Sequence, residues 1–277
     1  MMREVNISEK ISKVAYIPIA IIAAILMVIP VYILFMTSFA VPSDILKPHP
    51  DFFITRFTLD HWRSVLASGN LWPPFRKSFV VATITTIIAI VMAAPAAYVI
   101  ARMPSKIKYP VVLSLFFTRM FPDVGIALPI AVQFIRLNLM DTYLGLVMAH
   151  LIVNLPFAAW ILVGTFETIP KDLEEAALVD GTSKLTALSK IIMPIALPGI
   201  AVTAIFVWLN SWNEFTYALY LTISDRTLPL QIYYYVQRGG IFDSATYAAI
   251  LTIPVMLVTF FLQKYMKSGY LAGAVKG

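Results

Sequence analysis

The stretch Thr168 to Pro198, TIPKDLEEAALVDGTSKLTALSKIIMPIALP, is the one long segment of the chain that is both charged and patterned for helix, and nearly everything on either side of it is apolar. It predicts a helix, a glycine turn and a second helix standing outside a lipid bilayer. Thr168 offers an N-cap hydroxyl, Pro170 stands where a first-turn proline is tolerated, and Asp172, Glu174 and Glu175 load the positive end of the helix dipole. Leu173, Ala176, Ala177 and Asp180 fall on one face. Gly181 is placed to stop the helix in a left-handed cap. A second short helix is expected from Thr182 or Ser183, with Leu185, Leu188, Ile191 and Ile192 turned inward and its end before Pro194.

Composition says what surrounds this segment. Of 277 residues, 60% are hydrophobic and 13% charged, which makes the chain an all-α integral membrane protein rather than a soluble domain. Four apolar runs precede the loop of about 167–196, at 14–39, 78–101, 109–134 and 143–166, and two follow it, at 197–221 and 245–265. Each is close to the about twenty residues that a hydrocarbon core demands, so six transmembrane helices are expected over 14–265, with the charged loop between spans four and five. The first run is too long for a signal-peptide core and is read as a retained span. Between spans one and two, Phe57 to Leu66 reads as a short surface helix, with Trp62 and Trp72 at headgroup level. Lys and Arg favour the side of Arg3, Lys10, Lys13, Arg102, Lys106 and Lys108, which places the charged loop, residues 1–13 and the tail 266–277 in the cytosol. With no cysteine there is no disulfide, thiolate metal site or cysteine nucleophile, and three scattered histidines offer no metal-binding spacing. The net charge of +6 comes without a Lys/Arg run of the kind nucleic acid requires.

Glu175, Ala176 and Ala177, then Gly181 after three residues, Ile191 after nine more, and Met193–Pro194 form a spacing that resembles the EAA signature of permease subunits in binding-protein-dependent ABC importers. Leu is usual where this chain has Met193, a swap of similar volume. WNEF at Trp212 to Phe215 and a tail containing Gly269, Gly273 and Gly277 are similar to the smaller permease of carbohydrate importers of the maltose/trehalose type. The resemblance implies that Glu175, Ala176, Ala177, Asp180 and Gly181 form a coupling loop seated in a cytosolic ATPase. It implies as partners a second permease in a heterodimer, two ATPase subunits and an extracytoplasmic solute-binding protein, in a prokaryotic cytoplasmic membrane. ATP and Mg would then belong to the ATPases, leaving no cofactor and no catalytic site on this chain.

Polar residues within spans are costly unless they face a cavity or a partner. Asn210, Asn213 and Glu214 lie within one turn, and Trp208 and Trp212 are four apart, a mixture of amide and aromatic surface that suits a sugar. Asn210, Trp212, Asn213 and Glu214 therefore either line the pore or cross-link helices, and the resemblance leaves open whether the sugar is held by this chain or by the other permease. Arg119 and Asp123 are spaced to neutralise each other across one turn of span three. His150 and Asn154 share that spacing in span four, where a lone histidine is usually a hydrogen-bonded core residue. The rival reading is a proton- or ion-coupled carrier using Arg119, Asp123, His150 and Glu214; an internal repeat of the kind such carriers often show is not found. A membrane-embedded enzyme would need a nucleophile with a base or clustered metal ligands, and neither is present. Outside the expected spans, Tyr233, Tyr234 and Tyr235 read equally as a receptor-docking surface and as part of a membrane-edge aromatic belt.

Overall fold

A lipid-facing backbone finds no water to bond, so a chain this apolar satisfies its peptide groups within helices. The computed structural model describes residues 7–50, 52, 53 and 56–274, with side chains described from Tyr16 to Phe261. Residues 1–6 and 275–277 of the two expected cytoplasmic tails lie outside the described residues, as do the side chains of 7–15 and 262–274. The helices are α1 (Ile7–Phe39), α2 (Pro42–Ile45), α3 (Asp60–Ala67), α4 (Trp72–Arg102), α5 (Ser105–Phe117), α6 (Asp123–Arg136), α7 (Tyr143–Glu167), α8 (Asp172–Val179), α9 (Lys184–Ala187), α10 (Met193–Trp212), α11 (Thr216–Leu221), α12 (Leu228–Gln237) and α13 (Ile241–Ala274). A π-helical segment, Leu188–Ile192, joins α9 to α10. Among the described residues the β pairing is a single antiparallel bridge, Ala40 with Phe57.

Among the described residues, five stretches are long and apolar enough to cross a membrane: Tyr16–Phe39, Trp72–Arg102, Tyr143–Glu167, Lys184–Trp212 and Ile241–Phe261. The expected third span does not form as one helix. Its run breaks into α5 and α6 at Thr118–Pro122, because Pro122 cannot donate to the helix and disfavours helical geometry in the residue before it. The fifth differs in the opposite way at its start. The second short helix does not stop before Pro194 but continues through the π segment into α10, with Pro194 directly after the π turn, where the regular hydrogen-bond ladder is already interrupted.

Contacts divide the chain into two units, Met1–Gly69 with Ile232–Ile250, and Asn70–Gln231 with Leu251–Gly277. In the first, α3 is the short helix expected around Trp62, whose ring stacks on Phe39 with centroids 5.1 Å apart and whose indole N–H donates to Ser38 Oγ. Tyr235 stacks on Tyr247 at 4.8 Å, so one member of the tyrosine run is committed to packing within its own unit.

The second unit is built on α4, α7 and α10. Their contact is lined with small residues, Ala89, Ala93, Ala97 and Ala101 of α4 against Ala158 and Ala159 of α7 and Ala196 of α10, which lets the helices approach closely where there is no hydrophobic effect between helices and lipid to exploit. Gly199 of α10 lies close against α7: a Cβ there would stand 2.3 Å from Thr165 Cγ2.

Candidate functional site

Two features of the second unit carry chemistry. The first is the turn at Gly181. Helix α8 ends at Val179, Gly181 takes φ of +84°, its N–H donates to Leu178 O, and the N–H of Thr182 donates to Ala177 O. This pair of bonds is a Schellman cap, which satisfies carbonyls that the helix end leaves orphaned. Thr182 Oγ1 adds a second bond to Ala177 O at 2.7 Å. Ser183 caps the next helix by accepting from Thr186 N. The predicted start is corrected: Thr168 closes α7, with its hydroxyl donating to Thr165 O, and α8 begins at Asp172 without a side-chain cap.

The expected face of α8 is also revised. Of Leu173, Ala176, Ala177 and Asp180, only Ala177 is buried. What holds α8 down is Glu174, which accepts from Arg102 Nε at 3.0 Å and from the Tyr98 hydroxyl. The same guanidinium donates to Phe166 O at 3.0 Å and Ile169 O at 3.3 Å, so one side chain at the end of α4 ties together α7, the linker and α8. Partial burial opposes ionisation of Glu174, but those hydrogen bonds outweigh it and lower its carboxyl below the usual range. Glu175, Ala176, Asp180 and Gly181 are left exposed, and so are Val179 (87%) and Leu185 (74%), the latter contrary to its expected inward position. The arrangement is an anchored helix–turn–helix presenting small, acidic and apolar side chains outward.

The second feature is a cavity of about 220 Å³ lined by Asp123, His150, Asn154, Asn210, Asn213, Glu214 and Tyr217, among others. Helix α10 ends at Trp212 and α11 starts at Thr216, so WNEF falls on a break rather than inside a span. Glu214 stabilises that break: Oε1 accepts from Tyr217 N at 2.7 Å and Oε2 from Ala218 N at 3.1 Å. The carboxylate is itself held by His150 of α7, whose Nε2 lies 3.2 Å from Glu214 Oε2. A carboxylate oxygen only accepts, so Nε2 carries the proton, and in the neutral ring Nδ1 accepts from Ser211 Oγ at 2.6 Å. Asn154 Nδ2 donates back to His150 O, and Asn154 Oδ1 accepts from Asn210 Nδ2, both at 2.8 Å.

An adjoining cavity of about 310 Å³ shares Asn210 and Asn213 and adds Arg119, Phe157, Phe206 and Leu209. The structure thus gathers Asn210, Asn213 and Glu214 with His150, Asn154, Asp123 and Arg119, which the sequence placed in separate spans. One expected pairing does not form, and one residue falls on the packing side of its two readings. Arg119 does not pair with Asp123: the break at Thr118–Pro122 removes the helical turn between them, and the guanidinium donates instead to Val153 O at 3.4 Å and lies over the Phe157 ring. Trp212 lines neither cavity, being 0% exposed, stacked on Trp208 at 5.0 Å and bonded through its indole N–H to Leu251 O.

A third cluster had no expectation attached to it. Lys77 is 0% exposed, with Nζ 2.5 Å from Asp225 O, 3.1 Å from Asp225 Oδ2 and 3.8 Å from Asp141 Oδ1. Asp141 accepts from the N–H groups of Ile223, Ser224 and Asp225 and from Ser224 Oγ. Partial burial pushes the Asp141 carboxyl up, and these donors more than reverse it, holding it at about 2. Sequence reasoning assigned no role to these residues. The one signal available was a lysine at the mouth of an apolar span, where only a buried anion would let it turn inward. Among the described residues no group of His, Asp and Glu could hold a metal ion.

The chain is 31% identical over 277 residues to the trehalose/maltose transport system permease protein MalG of Thermococcus litoralis, covering 97% of this chain and 99% of that protein. It is 29% identical to the diacetylchitobiose uptake system permease protein DasC of Streptomyces coelicolor, with 93% and 95% covered. The fold is shared with a solved bacterial ABC transporter involved in the import of the acidic polysaccharide alginate, at a TM-score of 0.75 and 20% identity over 95% of this chain and 99% of that one. The profile of the binding-protein-dependent transport system inner membrane component family matches residues 7–270, and the chain belongs to that family.

Proposed function

We propose that this chain is the membrane permease subunit of an ATP-driven ABC importer for a di- or oligosaccharide, and that it forms half of the translocation pathway. The observation that carries this reading is the anchored helix–turn–helix around Gly181, exposed on one side and fixed to α4 and α7 through Arg102 and Glu174 on the other. A lever needs both properties: a free face to receive force and a rigid root to deliver it. Glu175, Ala176, Ala177, Asp180 and Gly181 are the coupling residues, with Ala177 packed behind the face that meets the ATPase. The proposed pathway residues are Asn210, Asn213 and Glu214, and Trp212 supports them from behind.

The chain crosses the cytoplasmic membrane of a prokaryotic cell six times, counting α5 and α6 as one broken crossing, with both termini and the coupling loop in the cytosol. A second permease completes a heterodimeric pore. Two ATPase subunits hold ATP and Mg below it, and an extracytoplasmic binding protein delivers sugar above, where the exposed Tyr233 offers it a contact. ATP binding closes the ATPases, the loop transmits that closure to the spans as a rigid-body movement, and the pore opens to the loaded receptor.

The test is affinity purification of the wild type and of Gly181→Pro from membranes. The wild type should bring down an ATPase and a second permease. Gly181→Pro should lose the ATPase while remaining inserted, because proline cannot take the positive φ of this cap and removes the N–H that bonds Leu178 O. A well-expressed wild type that comes down alone overturns the importer and favours an ion-coupled carrier, whose groups would be Asp123, His150 and Glu214 around one cavity, with Arg119 in the adjoining one.

A further inference from the structure

The polar groups around the 220 Å³ cavity are not equally available. Glu214 is fully engaged by two backbone N–H groups and His150. Asn210 and Asn213 each spend one of their two amide N–H bonds within the protein, on Asn154 Oδ1 and Leu209 O, which leaves each with one N–H and its carbonyl oxygen. Asp123 is exposed in the first turn of α6 and makes no hydrogen bond or ion pair among the described residues. Tyr217, another wall of the cavity, is 1% exposed and its hydroxyl is buried without a hydrogen-bond partner, an expense that a bound hydroxyl group or water would offset. What remains open mixes donors and acceptors around a single negative charge: the Asp123 carboxylate, a carbonyl and an N–H from each of Asn210 and Asn213, and the hydroxyls of Thr216 and Tyr217.

We infer that this cavity is the section of the pathway that meets the solute, and that it passes hydroxyl-rich, uncharged solutes while turning away those that bear a carboxylate. This rests on the importer reading above. Sugar hydroxyls, which both donate and accept, can meet every one of these groups. A carboxylate in the same place would stand beside Asp123 and Glu214 in a setting where like charges repel more strongly than in water. Among the described lining residues the cation is Arg119, which borders the adjoining cavity and is drawn toward Val153 O and the Phe157 ring. Fold alone does not set this property, since the alginate transporter that shares it is involved in the import of an acidic polysaccharide.

The absence of cysteine allows a direct test. Asn213→Cys is introduced, the complex is isolated with its ATPase, and labelling rates are measured with neutral, cationic and anionic methanethiosulfonate reagents, each divided by its rate with free cysteine. The anionic reagent should react roughly tenfold more slowly than the neutral one, the scale of one nearby charge at intermediate dielectric. Asp123→Asn in the same background should restore most of that loss, and Arg119→Gln should deepen it. Equal rates for the anionic and neutral reagents overturn the proposal, as does a cysteine that labels only after denaturation. If Asn213→Cys does not assemble, Asn210→Cys, which borders the same two cavities, replaces it. A chain that brings down no ATPase breaks the importer reading, whereas an assembled complex without charge preference breaks this inference alone.

Discussion

The chain breaks a helix at Gly181 and again at Asn213–Phe215, and the two breaks are stabilised in opposite ways. At Gly181 the orphaned carbonyls are satisfied within six residues, by the N–H groups of Gly181 and Thr182 and the Thr182 hydroxyl. At Asn213–Phe215 the orphaned N–H groups of Tyr217 and Ala218 are satisfied by Glu214, and Glu214 is positioned by a histidine 64 residues away. The first break stands where water can complete any bond the protein leaves unmade. The second is packed inside the unit, where an unmet group costs its full desolvation penalty. The turn proposed to meet another subunit is thus self-sufficient, while the break beside a cavity depends on several helices at once.

The comparison is broken most directly at Glu214. Glu214→Ala strips two N–H groups and His150 of their acceptor, and should lower stability by about 3 kcal/mol in denaturant titrations of the detergent-solubilised protein. An unchanged midpoint would mean that the break is not held as described.

The second test extends the comparison to the segment after α11, which Asp141 cradles. Its folded carboxyl at about 2 lies below the ordinary 3.8, so the stabilisation is present above that ordinary value and is lost as pH falls toward about 2. The difference is about 2 kcal/mol, and it should appear as a steeper acid loss of melting temperature in the wild type than in Asp141→Asn. Parallel curves would sink it.

A double-mutant cycle sharpens the contrast further. Glu214→Gln with His150→Gln should show coupling of about 1–2 kcal/mol, while Glu214→Gln with Gly181→Ala should add within about 0.5 kcal/mol. Comparable coupling in both cycles would erase the distinction between the breaks. Smallest is Gly181→Ala alone, which should cost about 1 kcal/mol because an L side chain at φ of +84° is strained while nothing crowds its Cβ.

How much of this was legible depends on how far each determinant reaches. The cap at Gly181 was readable because a charged, periodic run followed by glycine carries its whole explanation in about ten residues. Span four, expected at 143–166 and found as Tyr143–Glu167, was readable because length and hydropathy suffice. Reading failed where apolarity hid a backbone discontinuity. The runs around Pro122 and Asn213 look continuous in hydropathy, yet a proline in one and a carboxylate capping the following turn in the other interrupt the helices. It failed again at Leu185, which periodicity turned inward and the structure leaves 74% exposed on the proposed coupling surface.

By itself the sequence determined that this is a helical membrane chain with one charged helix–turn–helix, since composition, period and glycine geometry act locally. Only the tertiary structure decided that Lys77 is buried against Asp141 and Asp225, that Arg102 anchors α8, and that Asp123, His150, Asn210 and Glu214 share one cavity. Those arrangements depend on which polar groups meet when separate helices pack, and a buried charge or amide takes its place from its partner rather than from its neighbours in the chain.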